Sequence, residues 1–174
     1  SSVFDGFGSA LVPEGLGFVL QSRAAGFSLQ DGHPNAWTPG RRPLHTIIPA
    51  FVTRDGEPWL SFGVLGGSFQ PQGHVQILVN QIDFDMDPQE AGDAPRIAIS
   101  GGPDPWNPGG GAPHRVHVEP AVPDALVAAL RAHGHEVVRG GMFFGGYSGI
   151  RRDTASGIYA AAAEMRMDGC AAGY

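Results

Sequence analysis

The stretch from Trp59 to Val79, "WLSFGVLGGSFQPQGHVQILV", places two successive glycines, Gly66 and Gly67, between an apolar run and a segment whose apolar residues are spaced differently. Glycines at such a break let backbone N–H groups face a ligand with no Cβ atoms in the way, and N–H groups at a helix start stabilise negative charge. A phosphate and the oxyanion of a tetrahedral intermediate both suit them. A phosphate cradle brings a Lys-Ser/Thr pair after the loop or a G-x-G-x-x-G pattern, and the sequence contains neither. The oxyanion reading passes that test. Its plain alternative is that the two glycines only let a strand pack closely on a helix.

The other chemistry-bearing residues are less organised. His114 and His117 fall in a loop-to-strand stretch, and His133 and His135 flank Gly134, so neither pair presents two rings on one helix face. No carboxylate or cysteine completes a ligand set, and neither a metal nor a cofactor is expected. "DFDMD" (83–87) lacks the Gly and the distant Glu of a calcium loop and reads as the solvated end of a helix, with no acid–base partner for Asp83 or Asp85. Cys170, the single cysteine, excludes an internal disulfide, leaves the compartment open and reads as a small packing residue.

The elements that must position Gly66 and Gly67 can be read from periodicity. "LHTIIPAFVTRDGEPWLSFGVL" divides at Asp55-Gly56 with β-branched and aromatic runs on both sides, a hairpin signal. Pro49 puts a bend or a sheet edge in its first strand. After the glycines Val75, Leu78, Val79 and Ile82 recur at i, i+3, i+4 and i+7, one face of a helix. Upstream, 9–12 and 17–20 are β-leaning runs around a "PEGL" turn, a plausible hairpin, and 30–43 is a loop. Downstream, "DPQEAGDAP" is a short helical turn started by Pro88, "RIAI" (96–99) a strand, 100–114 a Gly/Pro loop and "RVHVE" a strand. Pro123 and Asp124 open a helix through Leu126, Val127 and Leu130 that Gly134 can end. "EVV", "YSGIRR" and "GIYAAAAE" are further strands. Hairpins carry most strands, so an α+β, largely antiparallel sheet is expected, with one face in need of cover from elsewhere.

Composition narrows the partners. With 42% hydrophobic and 16% charged residues, the 174-residue chain belongs to the folded globular class. Its 11 basic residues against 17 acidic ones include only the pairs Arg41-Arg42 and Arg151-Arg152, too little for a nucleic-acid footprint. No apolar stretch reaches the roughly 18 residues of a membrane helix, and no charged start with an apolar h-region opens the chain. Neither nucleic acid nor membrane is expected as a partner. The strand-like opening "SSVFDGFGSALV", with no Met, suggests a cleavage product or a piece of a longer chain.

Taken in order, "GFGSALVPEGLGFVL", "PGRRPLHTIIPAFVTRDGEPWLSFGVLGG", "PQGHVQILVNQIDFDMDPQEAGDAPR" and the closing "GCAAGY" resemble the small (β) subunit of the γ-glutamyltransferase family, enzymes of the N-terminal-nucleophile (Ntn) hydrolase fold. The resemblance covers nearly the whole chain and is most specific in "RPLHTIIPAF…DGEPW…GVLGG". It implies a four-layer αββα sandwich with mostly antiparallel sheets, completed by a larger subunit from the same precursor, and leaves a dimer of such heterodimers open. Residues 1–174 are then a single domain, most of the small subunit without its nucleophile segment.

The resemblance also assigns roles. The family's nucleophile is the N-terminal Thr released by self-cleavage, with its own α-amino group as general base, and no residue here matches it. Gly66 and Gly67 take the oxyanion, and Ser2 falls near the hydroxyl residue that supports the nucleophile; Ser1 offers a rival reading as a serine nucleophile. In γ-glutamyl-specific members an Asn, an acidic residue and a Ser-Ser pair hold the glutamyl group. Here Phe4, Gly26 and His45-Thr46 stand in those places. An ammonium loses its charged partner where Gly26 replaces a carboxylate, so the pattern is closer to the acylase or amidohydrolase branch. These changes favour hydrolysis of another small amide, while the family as a whole favours γ-glutamyl transfer or hydrolysis, and both readings stand. Arg23 can attract a substrate carboxylate, Thr46 can hold substrate or oxyanion, and His45 is either a hydrogen-bond donor near the acyl group or a strand histidine satisfied by a carbonyl. The competing class is a non-catalytic binding or structural remnant of the same fold. Alone, the chain is expected to aggregate or to bind a hydrophobic dye through its open sheet face.

Overall fold

The computed structural model describes residues 2–103 and 111–173; Ser1, with its rival nucleophile reading, and Tyr174 lie outside them. The chain divides into two compact units, Ser1–Ile47 and Ile48–Tyr174.

Among the described residues the second unit carries all the strands. At Asp55-Gly56, both at positive φ, β1 (Ala50–Arg54) turns into β2 (Glu57–Leu65), the hairpin expected there. β1 begins directly after Pro49 and lies at the edge of a four-stranded sheet of order β1-β2-β6-β7, with β6 (Gly146–Arg152) and β7 (Tyr159–Ala163). All its pairings are antiparallel. One face packs on α1 (Gln70–Ile82) and α2 (Pro88–Asp93), burying Leu60, Phe62 and Val64 with Phe69, Ile77 and Tyr147. The opposite face is open, with Phe51, Ile150 and Leu65 exposed. That one-sided burial fits one helix-and-sheet half of a sandwich.

A second sheet, β3-β4-β5, consists of β3 (Ile97–Pro103), β4 (Gly111–Val118) and β5 (Val137–Arg139). Its core, Val116, Val118 and Val137, packs with Val122 and Val127 of the segment through α3 (Asp124–Ala132). β4 and β5 pair in parallel, because α3 is the crossover between them. Gly134, at φ +87°, ends α3 as expected: its N–H reaches Arg131 O and that of His135 reaches Leu130 O.

Three local expectations change. Residues 9–12 and 17–20 form no strands; they are held by isolated bonds, Ser9 N to Leu20 O at 2.9 Å and Leu20 N to Leu11 O at 2.9 Å. No described residue of the first unit is fully buried, so these apolar runs have no core of their own to pair over. In α1 the buried row is Gly73, Ile77 and Gln81, whereas Val75 and Ile82 are exposed. Close approach to β2 selects that row, since a Cβ on Gly73 would lie 2.6 Å from Val64 Cγ1. Finally, β3 and β4 run into the expected 100–114 loop from both sides, and the part at 104–110 lies outside the described residues.

Candidate active site

β2 leaves the sheet at Leu65, and Gly66 (φ 136°, ψ 34°) and Gly67 (φ 58°) make the turn into a 3-10 turn, Gly67–Phe69, that runs straight into α1. Both φ values lie where a side chain is disfavoured. The two glycines differ in their surroundings. A Cβ on Gly66 would meet Gly145 Cα at 3.0 Å, whereas a Cβ on Gly67 would enter open space. Gly66 O accepts from Phe69 N at 3.1 Å and Gly67 O from Gln70 Nε2 at 3.1 Å. Neither glycine's N–H donates among the turn and loop bonds of the described residues. The geometry is a glycine turn at the positive end of a helix, suited to a developing oxyanion.

Two supports of this turn carry little signal in the sequence. His74, on α1, accepts the Val64 N–H through Nε2 at 3.1 Å and sits 4.8 Å from the Phe62 ring. Burial pushes its pKa below the ordinary histidine value, and the accepted bond needs the neutral ring. Behind the turn, Phe69 packs edge-on against Phe144 at 6.2 Å. The Phe144 carbonyl accepts from Arg96 Nη1 at 2.8 Å. Arg96 is 1% exposed and is paired through Nη2 with the equally buried Glu164. Glu164 Oε2 also accepts from Arg166 Nη1 at 2.8 Å, and Arg166 reaches Glu119 through Nε at 2.6 Å. Burial pushes the Glu119 carboxyl up, but its bonds from Arg166 and from the Arg96 amide outweigh that and hold it below the ordinary range. Burial likewise depresses Arg96, against the opposing pull of Glu164. The only sequence trace of this cluster is a charge at the edge of each apolar strand, in "RIAI" and "YAAAAE".

The other expected site residues lie in the first unit. The Ser2 hydroxyl accepts the Phe4 N–H at 2.9 Å. Phe4, at φ 68°, turns its ring beneath the Arg23 guanidinium, 5.0 Å from ring centre to Cζ. Arg23 begins a 3-10 turn, Arg23–Gly26, and donates from Nη1 to Thr46 Oγ1 at 2.9 Å. Its Nη2 is buried without a partner among the described residues. Ser2, Phe4, Arg23 and Thr46 thus form one chain of contacts. His45 stays outside it, with Nδ1 at 3.2 Å from Ile47 O, and Gly26 O accepts from Asn35 Nδ2. A hollow of about 490 Å³ on the open sheet face, lined by Ser61, Ser148, Ala161 and Cys170, includes none of the expected site residues.

Against known proteins, residues 1–174 match the gamma-glutamyltranspeptidase family from end to end. The chain belongs to that family. It is 32% identical to the "Glutathione hydrolase-like YwrD proenzyme" of Bacillus subtilis (strain 168), over 99% of this chain and 32% of that protein. To the "Oxamate amidohydrolase proenzyme" of Klebsiella pneumoniae it is 31% identical, again over 99% of this chain and 32% of the other. The chain therefore spans about a third of the length of these relatives. Among solved structures, cephalosporin acylase from Bacillus halodurans aligns with TM-score 0.85 and 40% identity over 99% of this chain and 31% of that one. Gamma-glutamyltranspeptidase from Pseudomonas nitroreducens aligns with TM-score 0.78 and 26% identity over all of this chain and 91% of that one. The fold is that of the Ntn hydrolases, and the likeness to acylase and amidohydrolase members as well as to glutathione hydrolases agrees with the branch expected from the gamma-glutamyltranspeptidase resemblance.

Proposed function

We propose that this chain is the greater part of the small subunit of a γ-glutamyltranspeptidase-like amide hydrolase or acyltransferase, working with a large subunit cut from the same precursor. The carrying observation is the end-to-end family match, with Gly66 and Gly67 on a strand-to-helix turn that fits an oxyanion. The coverage of 91% of a separate γ-glutamyltranspeptidase chain supports the two-chain reading. A dimer of these two-chain units belongs to the same proposal.

In this mechanism the hydroxyl of an N-terminal Thr, matched by no residue here, attacks an amide carbonyl and gives its proton to its own α-amino group. Gly66 and Gly67 N–H groups hold the oxyanion. The C–N bond then breaks, the leaving amine takes the proton, and water or an amine resolves the acyl ester. Ser2 supports the nucleophile, while Phe4, Arg23, His45 and Thr46 face the substrate. The unpartnered Arg23 Nη2 favours a carboxylate or carbonyl on the acyl group. With Gly26 offering only a backbone carbonyl, already bonded to Asn35, an α-ammonium is held weakly. A small non-glutamyl amide is therefore the preferred substrate over γ-glutamyl compounds.

The full-length gene product tests this reading. Intact masses are expected to give two chains, the smaller starting at Thr, and a panel of amides is expected to be hydrolysed faster than γ-glutamyl anilides. Gly67→Ala puts a Cβ into open space at a φ of 58° that side chains disfavour, so it should cost about 1–2 kcal/mol of stability and, by crowding the oxyanion and turning the N–H away from it, lower kcat/KM by up to about 10²-fold. A single uncleaved chain, inert on every amide, would favour the non-catalytic remnant.

A further inference from the structure

At the other end of β2 from the glycine turn, on the order of 20 Å along the strand, a second pocket of about 240 Å³ is lined by Arg54, Trp59, Gln81, Asp85, Arg151, Arg152, Asp153 and Thr154. The register of the hairpin shifts between Val52 and Thr53, where Val52 pairs Leu60 and Thr53 pairs Pro58, leaving Trp59 as the extra residue. A bulge of this kind lets Trp59 and Leu60 both turn inward, and both are buried. The Arg54 guanidinium lies over the Trp59 ring at 4.0 Å. Arg151 stands opposite Leu60 on β6 and donates to Met86 O at 3.1 Å and Gln81 Oε1 at 3.4 Å.

The lining sets Asp85 and Asp153 beside its three arginines, but neither aspartate is ion-paired with Arg54 or Arg151. Among the described residues neither Arg54 nor Arg151 has an ion pair, although the chain has 17 acidic residues for 11 basic ones. Arg152 has Glu57 at 3.4 Å. Asp153 spends its carboxylate on the Ala155 and Ser156 amides, at 2.8 and 3.4 Å, and these bonds, with the Ser156 hydroxyl and a smaller pull from Arg151, keep its pKa low. Asp85 makes no ion pair with the arginines beside it. Gln81 is 2% exposed, and its Nε2 is buried with no acceptor in hydrogen-bond geometry. Burial pushes the Tyr147 phenol up, and its oxygen, also outside bonding geometry, lies close enough for Gln81 to pull the pKa down against that burial, so the two groups face each other. A buried amide donor and two unpaired guanidinium groups on one small pocket ask for acceptor oxygens carrying negative charge.

We propose that this pocket binds a small oxyanion, a phosphate or a short carboxylate, between Arg54 and Arg151, with Gln81 Nε2 as a further donor. Its size admits an ion of a few heavy atoms. The bulge, the Trp59 stack and the Arg151 bonds hold the guanidinium groups before the ligand arrives, so little ordering is spent on binding. The proposal does not depend on the reaction at Gly66 and Gly67.

The test uses the protein purified from its full-length gene, titrated with sodium phosphate, sodium sulfate and sodium succinate against sodium chloride at matched ionic strength. The readouts are tryptophan emission and thermal midpoint. A saturable change with phosphate, sulfate or succinate but not chloride is expected, with phosphate above succinate marking a phosphoryl ligand and the reverse order a carboxylate. Arg54→Gln, at an exposed strand position, should raise the apparent Kd at least tenfold while costing only the stack on Trp59, about 1 °C of thermal midpoint at most, without anion. Trp59→Phe should abolish the emission change but keep the thermal one. No saturable response beyond chloride, or an unchanged Kd in Arg54→Gln, overturns the proposal.

Discussion

Replacing Glu164 by Gln keeps the side chain's size and removes one charge from the cluster of Arg96, Arg166, Glu119 and Glu164, which is neutral as a whole. The Arg96 and Glu164 side chains are 1% and 0% exposed, so water cannot take over the lost interaction. Arg166 still has Glu119. The loss therefore falls on Arg96, left with the carbonyls of Phe144 and Gly92. Taking one partner from a buried ion pair costs about 3–5 kcal/mol. At about 1 °C per kcal/mol for a product about three times as long as this chain, as in its relatives, the thermal midpoint should fall by roughly 3–5 °C. Scanning fluorimetry at one fixed rate on the purified full-length product reads this directly. The double variant Arg96→Met/Glu164→Met removes both charges and leaves the Arg166–Glu119 pair, with Gly92 O still bonded to Arg166 at 2.8 Å. Its loss should be smaller than the sum of the two single losses by at least about 1.5 kcal/mol. A Glu164→Gln loss under about 1 kcal/mol, or strict additivity in the cycle, would refute the reasoning.

Other consequences are open to direct measurement. Gly73→Ala in α1 gains about 1 kcal/mol of helix propensity, but its Cβ would lie 2.6 Å from Val64 Cγ1 and 2.8 Å from Phe69 Cε1; a net loss of about 1–2 kcal/mol in urea unfolding is expected, and a gain would mean the contact relaxes. Glu119, held below its ordinary range, stabilises the fold above the unfolded carboxylate value and loses that contribution as pH falls through its lower folded value. The acid midpoint of Glu119→Gln should therefore respond less to pH than that of the parent. Burial pushes the Tyr147 phenol up to about 12, so its contribution is complete below pH about 10 and is lost as pH rises toward 12. Tyr147→Phe, which removes a buried hydroxyl without a partner, should flatten that alkaline limb and leave neutral-pH stability within about 1 kcal/mol. Residues 1–174 expressed alone should bind a hydrophobic dye, because Phe7, Leu29, Phe51 and Tyr159 are 73%, 91%, 64% and 68% exposed; a cooperative, dye-free monomer would contradict this.

How far the sequence could be read depended on whether the signal was local. The Asp55-Gly56 hairpin, the Gly66-Gly67 turn, the Pro88 helix and the Gly134 helix end all rest on backbone preferences of one or two residues, and all stand where the pattern puts them. The α1 face did not follow hydrophobicity, because its closest approach to β2 is made by Gly73 and its buried row ends in Gln81. Apolar runs at 9–12 and 17–20 looked like strands because β-leaning residues do so whether or not a core exists to receive them. Arg96 and Glu164 are 68 residues apart, and only the folded chain brings them together. For the candidate site, the sequence pointed to the glycine turn and the family resemblance named Ser2, Phe4, Arg23 and Thr46 singly, but neither gave the contacts that link those four or any hint that His74 and Arg96 brace the turn from behind.

β2 outruns β1. Ala50, opposite Phe62, is the last paired residue on that side, so Gly63, Val64 and Leu65 extend past their neighbour. Backbone groups of a strand that outruns its neighbour's ladder are a template on which a further chain can add itself. The imidazole of His74 occupies the place by taking the Val64 N–H. It does so only while neutral, and burial keeps it neutral to a pH below the ordinary histidine range. Acidification past that point turns the acceptor into a donor and uncovers the edge, so light scattering should rise on acidification in the parent protein. His74 is in this sense a stopper against self-association.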